Sequence, residues 1–119
     1  MAQWRRNKWK IEADLFPEQE GNLLGIAIRS KHGEIEIKGY DDGKAEMEIE
    51  FFGLKIPDNS IVSLYIDKKQ IMEFQVKHGR YKKEHIKLQQ LATEINIGSK
   101  VEIIYLGQTL LHGTFREDN

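Results

Sequence analysis

Basic and aromatic side chains alternate in two short stretches of this 119-residue chain. Trp4 to Lys10 carries four bases and two indoles, and Arg80 to Lys83 reads RYKK. Cationic groups neutralise phosphates, and aromatic rings stack on bases. Nucleic-acid binding through the basic N-terminus and the segment 77–87 is therefore one hypothesis. In the alternative, Trp9 packs in the core and the bases only solvate the terminus.

The four histidines lack metal-binding spacing. They are His32, His78, His85 and His112. No two of them form an H-x-H or H-x-x-x-H pair, and no neighbouring carboxylate completes a recognisable ligand set. We therefore expect no metal site.

Closely spaced carboxylates are the other candidates for acid–base chemistry. They are Glu34 and Glu36, and Glu46, Glu48 and Glu50. Each alternates with an apolar residue, which is the period of a strand with one wet face and one dry face. General acid catalysis needs a carboxyl whose pKa is raised by burial. We expect these residues to form a solvated sheet face instead.

Nucleophile and phosphate-loop motifs do not occur in the sequence. There is no G-x-S-x-G elbow, the chain has no cysteine, and its ten glycines are dispersed. We expect a protein that is not an enzyme and needs no cofactor. The lack of cysteine also favours a cytoplasmic location over a secreted one.

The overall charge and hydropathy exclude other classes of partner. A formal net charge of −1 predicts no general attraction to nucleic acid or acidic lipid. No apolar window approaches the length of a membrane span, and the N-terminus has no apolar run typical of a signal peptide. We expect no membrane association.

Three strands joined by turns are predicted in the middle of the chain. Strand A is Glu46 to Phe51, strand B is Ile61 to Asp67, and strand C is Ile71 to Lys77. All three alternate apolar and polar residues. Lys68-Lys69 is the expected tip of the B–C hairpin, and Gly107-Gln108 has the Gly-first pattern of a type II′ turn.

The same A-B-C plan recurs before and after this unit at an offset of about 39 residues. Unit 1 covers about 8–38, unit 2 about 45–77 and unit 3 about 85–116. Fixed-period similarity is typical of proteins in which each unit buries its apolar face against its neighbours. We predict an all-β single domain of about nine short strands, built from three meander repeats and closed as a barrel or folded as a sandwich. A non-repetitive β-sandwich or barrel is the alternative.

One segment fits two secondary structures. Residues 80–94 are rich in helix-forming residues, but the repeat favours a strand that begins near His85. We favour the strand.

The alternation defines an expected set of inward side chains. These are Ile11, Leu24, Ile26, Ile28, Ile35, Ile37, Met47, Ile49, Phe51, Val62, Leu64, Ile66, Phe74, Val76, Leu88, Val101, Ile103 and Phe115. Burying one such side chain stabilises a fold by roughly 1.5–3 kcal/mol.

The segments that connect the units carry opposite charges. Residues 41–50 sum to −4 and residues 77–87 sum to +4. If the two segments lie on different sides of the molecule, they can join one protomer to the next. If they lie side by side, they pair within the monomer.

A non-enzymatic protein-binding or assembly module is the predicted function, acting through the sheet surface and the inter-unit linkers. The partner would be another protein or a second copy of the chain. The candidate binding residues are Tyr40, Asp41, Asp42, Tyr65, Arg80, Tyr81, Lys82, Lys83, Ile104 and Leu106. The alternative is a barrel that binds a small ligand or carbohydrate in an apolar pocket.

Overall fold

The computed structural model of the chain describes residues 7–18, 21–23, 26–28, 30–88 and 95–118. These residues form antiparallel strands joined by turns and loops, so the expected all-β class is confirmed. The described part contains no helix long and apolar enough to cross a membrane.

The described residues form eleven strands. They are β1 (Asn7–Pro17), β2 (Gly21–Leu23), β3 (Ile26–Ile28), β4 (Gly33–Tyr40), β5 (Ala45–Phe51), β6 (Ile61–Ile66), β7 (Lys69–Gln75), β8 (Tyr81–Leu88), β9 (Lys100–Tyr105), β10 (Gln108–Thr114) and β11 (Arg116–Glu117).

Eight of these strands form one antiparallel sheet that nearly closes into a barrel. Its order is β7-β6-β9-β10-β1-β4-β5-β8, while β2 and β3 pair separately. The long strand β1 holds the two halves together, because most of it pairs with β4 whereas its last residues, Phe16 and Pro17, pair with β10. The short strand β11 pairs with β1 near Ile11 and Glu12.

Alternation places the apolar side chains inside the curved sheet. Every predicted inward residue whose side chain is described is buried: Ile11, Ile35, Ile37, Met47, Ile49, Phe51, Val62, Leu64, Ile66, Phe74, Val76, Leu88, Val101, Ile103 and Phe115. The side chains of Leu24, Ile26 and Ile28 lie outside the described part.

Further residues complete the core, among them Ala13, Leu15, Leu54 and Leu111. Leu15 was missed because β1 continues well beyond the short strand that the repeat predicted. Leu54 lies in a loop, where no periodicity marks it.

The alternative that placed Trp9 in the core is wrong: its side chain is exposed and lies over Gly39, its partner residue at the end of β4.

Both predicted hairpin turns form one residue earlier than expected. Asp67 and Lys68 join β6 to β7 with φ of 51° and 67°, and Leu106 and Gly107 join β9 to β10 with φ of 48° and 80°. Positive φ at both central residues is the type I′ turn, whose twist matches that of the flanking strands. The predicted tip at Lys68-Lys69 and the predicted type II′ turn are therefore wrong.

The two hairpins correspond residue by residue at an offset of 39. The bounds of β6 and β7 map onto those of β9 and β10, and the two turns map onto each other. A bulge also recurs, at Ile71 in β7 and at Leu110 in β10. This correspondence does not confirm a threefold repeat, because β5 pairs with β4 and β8 rather than with β6. The three-unit meander stays a prediction.

Residues 81–88 form strand β8, which confirms a strand rather than a helix there, but the strand begins at Tyr81, before the predicted start near His85. Residues 89–94 lie outside the described part. Most side chains of β8 are exposed. A strand pattern was hard to see because β8 is an end strand of the sheet, with little core to cover.

Candidate functional site: the seam between β7 and β8

β7 and β8 are the two end strands of the sheet. They follow each other in the chain, but they stop pairing directly beyond the turn that joins them. Within the described residues, β7 pairs only with β6 and β8 only with β5. Between β7 and β8 there is a single bridge, from Lys77 to Arg80. We call the opening between the two strands the seam, and the bridged end its apex. Along the seam, the described strands do not close the barrel.

The apex is a fixed two-residue turn. His78 and Gly79 have φ of 54° and 67°, which again is the type I′ pattern. The backbone N–H of His78 donates to Asp58 Oδ1 at 2.9 Å, and the N–H of Leu54 donates to the Gly79 carbonyl at 3.0 Å. These contacts anchor the turn to two loops, so the seam has a defined end.

Three aromatic rings fill the interior beneath the apex. The ring centroids of Phe74 and Tyr81 are 4.5 Å apart, and Tyr81 stacks on Phe51 at 5.8 Å. Burial raises the pKa of the Tyr81 phenol. Such ring pairs are worth about 0.5–1.5 kcal/mol beyond their buried area. The seam therefore has a packed apolar floor rather than a water-filled pore.

A groove of about 670 Å³ lies over the apex end of the seam. It is lined by Glu50, Phe51, Phe52, Gln75, Lys77, His78, Arg80, Tyr81 and Lys82. The lining combines three cations, one histidine and one carboxylate with three aromatic residues. A groove of this size is within the range that holds an organic ligand or a few peptide residues.

The cations of the groove differ in their partners. Lys82 Nζ is engaged by Glu50 at 3.5 Å and by Glu84 at 3.8 Å. In the described part of the chain, no carboxylate lies within ion-pair distance of Lys77 or Arg80, and both side chains are exposed. The two residues face each other across the apex bridge. They are available to an anion that is not part of the described chain.

Three of the predicted binding residues meet in this groove: Arg80, Tyr81 and Lys82. Lys83 follows them as an exposed residue of β8. Sequence reasoning did not assign Gln75 or Phe52 to any site, and it included Lys77 only as the first residue of the basic segment 77–87. The signal that could have found them is His78-Gly79, since a Gly between two strands marks a two-residue hairpin turn.

The acidic and basic segments lie side by side. Residues 41–50 run through β5 and residues 77–87 through β8, and these strands pair with each other, Glu46 opposite Lys87 and Glu50 opposite Lys82. This is the arrangement in which the segments neutralise each other within one molecule. Charge complementarity between the two segments consequently gives no support to a chain of protomers.

Three other predicted residues lie at the turn between β4 and β5, at the far end of β5 from the groove. Tyr40 is half-buried and its hydroxyl donates to Glu46 Oε2 at 3.2 Å. Asp41 and Asp42 are exposed, and Asp42 Oδ1 accepts a hydrogen bond from the backbone N–H of Lys44 at 3.0 Å. Asp42 thus has a structural role in the turn.

The remaining predicted residues belong to the other half of the sheet. Tyr65 and Ile104 are half-buried on β6 and β9, and the Tyr65 hydroxyl donates to Gln70 Oε1 at 3.2 Å. Leu106 is 86% exposed at the β9–β10 turn. The structure does not bring these residues into the groove.

The histidines take local partners. His85 Nδ1 lies 3.4 Å from Glu46 Oε2, and its φ of 57° marks the bulge where β8 slips against β5. His32 stacks on Phe52 with a centroid distance of 5.8 Å. His112 Nε2 lies 3.9 Å from Glu18. His32 Nε2 also lies 3.3 Å from Ser30 Oγ, and no cluster of metal-ligand atoms among the described residues includes a histidine.

Among the predicted carboxylates, Glu36, Glu46, Glu48 and Glu50 are half-buried on the outer face of the sheet, and Glu34 is exposed. Burial, followed by a hydrogen bond with Glu84, raises the pKa of Glu48. Burial, followed by a hydrogen bond with Asp118, raises the pKa of Glu12. Both groups therefore bind protons more readily when folded, so their ionisation lowers the stability of the fold as the pH rises above about 4.5.

Carboxylate clusters on this face could be read as cation sites. The groups are Glu12, Glu36 and Asp118, and Glu12, Asp14 and Glu34. Cationic side chains already lie among them: Lys10 Nζ is 3.2 Å from Glu36 and 3.1 Å from Asp118, and Arg116 is 3.0 Å from Glu12. These ion pairs account for the clusters without a metal.

The N-terminal basic stretch lies largely outside the described residues, which begin at Asn7. Of its bases, Lys10 is engaged by the two carboxylates just given. Nucleic-acid binding through this stretch stays a prediction.

Comparison with protein families, with curated proteins and with solved structures finds no match for this chain. Its function is therefore inferred from its own geometry.

Proposed function

We propose that the protein is a non-enzymatic binding module that accepts an extended segment of a partner protein along the seam. The observation that carries this proposal is the single bridge between β7 and β8, beyond which neither strand pairs with the other. An extended peptide can add a strand to an open sheet edge, where backbone hydrogen bonds supply affinity and side-chain pockets supply specificity. A segment inserted here would complete the barrel.

The backbone of the seam supports this mode of binding. An end strand presents N–H and C=O groups that have no partner in the sheet, and β8 spans eight residues that are extended except at the His85 bulge. Pairing these groups with a peptide costs little conformational entropy, because the strand is already ordered by β5 on its other side. The order of β8 lowers the entropic cost of binding.

The seam also carries features that restrict which segments pair with it. Lysines and a bulge on an end strand discourage indiscriminate pairing. On β8 these features are Lys82, Lys83 and the bulge at His85. The bulge interrupts β8 at His85, so the regular part of its edge is the stretch 81–84 next to the apex, and the groove lies there. Its cations favour a segment with negative charge.

The experiment is a selection of displayed random ten-residue peptides on the purified protein, followed by titration of the best binders into ¹⁵N-labelled protein. We expect enriched peptides to be acidic and to shift the backbone amide resonances of Lys69–Gln75 and Tyr81–Leu88. Backbone pairing gives a second expectation: N-methylation at the peptide amides that pair with β8 should abolish binding, whereas the neighbouring amides should tolerate it.

Other results would overturn this function. Binders that shift only residues near Tyr65, Ile104 and Leu106 would move the site to the outer sheet face. Binding insensitive to N-methylation throughout would exclude strand addition. A failure to enrich any peptide would remove the proposal.

A further inference from the structure

We propose that the seam binds the C-terminal residues of its partner, with the terminal carboxylate held between Lys77 and Arg80. This inference rests on the proposed function, because it states which part of the partner enters the seam. It is carried by the closed apex, by two cations at that apex that have no acidic partner among the described residues, and by the direction of β8.

The closed apex argues for a chain end. At the bridge between Lys77 and Arg80 the two strands become joined, and the His78-Gly79 turn follows directly. The turn is anchored to Leu54 and Asp58, so it does not swing aside without breaking two hydrogen bonds. An extended segment lying between the strands meets this turn head-on. A segment that ends there fits without a bend.

The charge at the apex argues that this end is a carboxylate. Lys77 and Arg80 are exposed, face each other across the bridge, and lack an acidic partner in the described chain. A guanidinium presents paired N–H donors that match a carboxylate, and an ammonium adds a compact charge. An amino terminus would place like charges together. Lys82 contributes less, since Glu50 and Glu84 already engage it.

The direction of the strands is consistent with this orientation. β8 begins at the apex with Tyr81 and runs away from it. A peptide whose C-terminus lies at the apex therefore runs antiparallel to β8, as neighbouring strands do throughout the sheet, and parallel to β7, which runs toward the apex. Its last side chain would lie near Phe52, which is 45% exposed on the wall of the groove. An apolar last residue suits that wall.

The test uses two matched pools of random ten-residue peptides, one ending in a free carboxylate and the other in a carboxamide. We expect the carboxylate pool to yield binders whose affinity falls at least about tenfold when the same sequences are made as carboxamides, since a charge-assisted hydrogen bond is lost. The double variant Lys77→Gln/Arg80→Gln should bind both forms equally and weakly. The control Lys44→Gln/Lys100→Gln removes the same charge from exposed residues outside the groove and should keep the preference.

The possible outcomes distinguish a failure of this inference from a failure of the proposed function. If carboxylates and carboxamides bind equally while the amides of β7 and β8 still shift, the segment passes through the seam and the inference is wrong, but strand addition stands. Binding that depends on an internal Asp or Glu instead of the terminus leads to the same conclusion. If neither pool binds, both proposals fail.

Discussion

Replacing Leu64 by Asp should leave the chain unfolded at room temperature. Leu64 is fully buried in β6, the strand between β7 and β9. The change removes the burial of a Leu side chain and places a carboxylate among the apolar side chains of the core. Lost burial and an unpaired buried charge together cost about 5 kcal/mol or more, which is comparable with the whole stability of a small domain.

The matched control is Ile61→Asp in the same strand. Ile61 is 48% exposed, so the same new group stays in water and should cost about 1 kcal/mol or less. Thermal melting followed by circular dichroism distinguishes the two variants. A Leu64→Asp protein that melts cooperatively near the wild-type temperature would show that the assignment of the buried face is wrong.

Substituting Ala for Gly79 should give the second large effect. A Cβ atom at this position would overlap the carbonyl oxygen of Leu54, in a backbone conformation with φ of 67°. The loop that carries Leu54 would have to move, which also disturbs the buried Leu54 side chain. We expect a loss of about 2–4 kcal/mol in the free energy of unfolding, from left-handed strain together with the displaced packing.

Gly107→Ala isolates the contribution of strain. Gly107 also lies in a type I′ turn, with φ of 80°, but a Cβ there meets nothing within 4 Å. Its substitution should cost only about 1 kcal/mol, the cost of left-handed backbone alone. Urea denaturation of both variants gives the comparison. Equal losses would mean that the close approach of Leu54 to the apex is not important for the fold.

Period-2 alternation made most of the fold predictable. In β5 and β6 it identified the strands to within one residue of their bounds, and it identified every buried side chain of β6. The alternation failed to predict burial where burial depends on which strands pair, because a local pattern does not indicate the pairing partners of a strand. Nothing around Leu15 indicates that β1 spans both halves of the sheet, because its second partner, β10, lies almost a hundred residues further along the chain.

The candidate site was predictable only in part, for a related reason. The basic and aromatic character of Arg80, Tyr81 and Lys82 is visible in the sequence, and the groove contains all three. Which cations of the groove are available to a ligand depends on strand pairing. The sequence does not show that β5 lies beside β8 and neutralises much of its charge, nor that Lys77 faces Arg80 without an acidic neighbour in the described chain. The available cations were therefore separated from the engaged ones only by the structure.

Amide hydrogen exchange of the free protein tests the open seam most directly. In an end strand every second N–H points away from the sheet, so protected and unprotected amides should alternate on each side of the Ile71 bulge within Lys69–Gln75 and of the His85 bulge within Tyr81–Leu88. The central strands β6 and β9 should be protected throughout. Uniform strong protection along β7 and β8 would contradict the account, because it would mean that the two strands pair with each other and leave no seam for a partner.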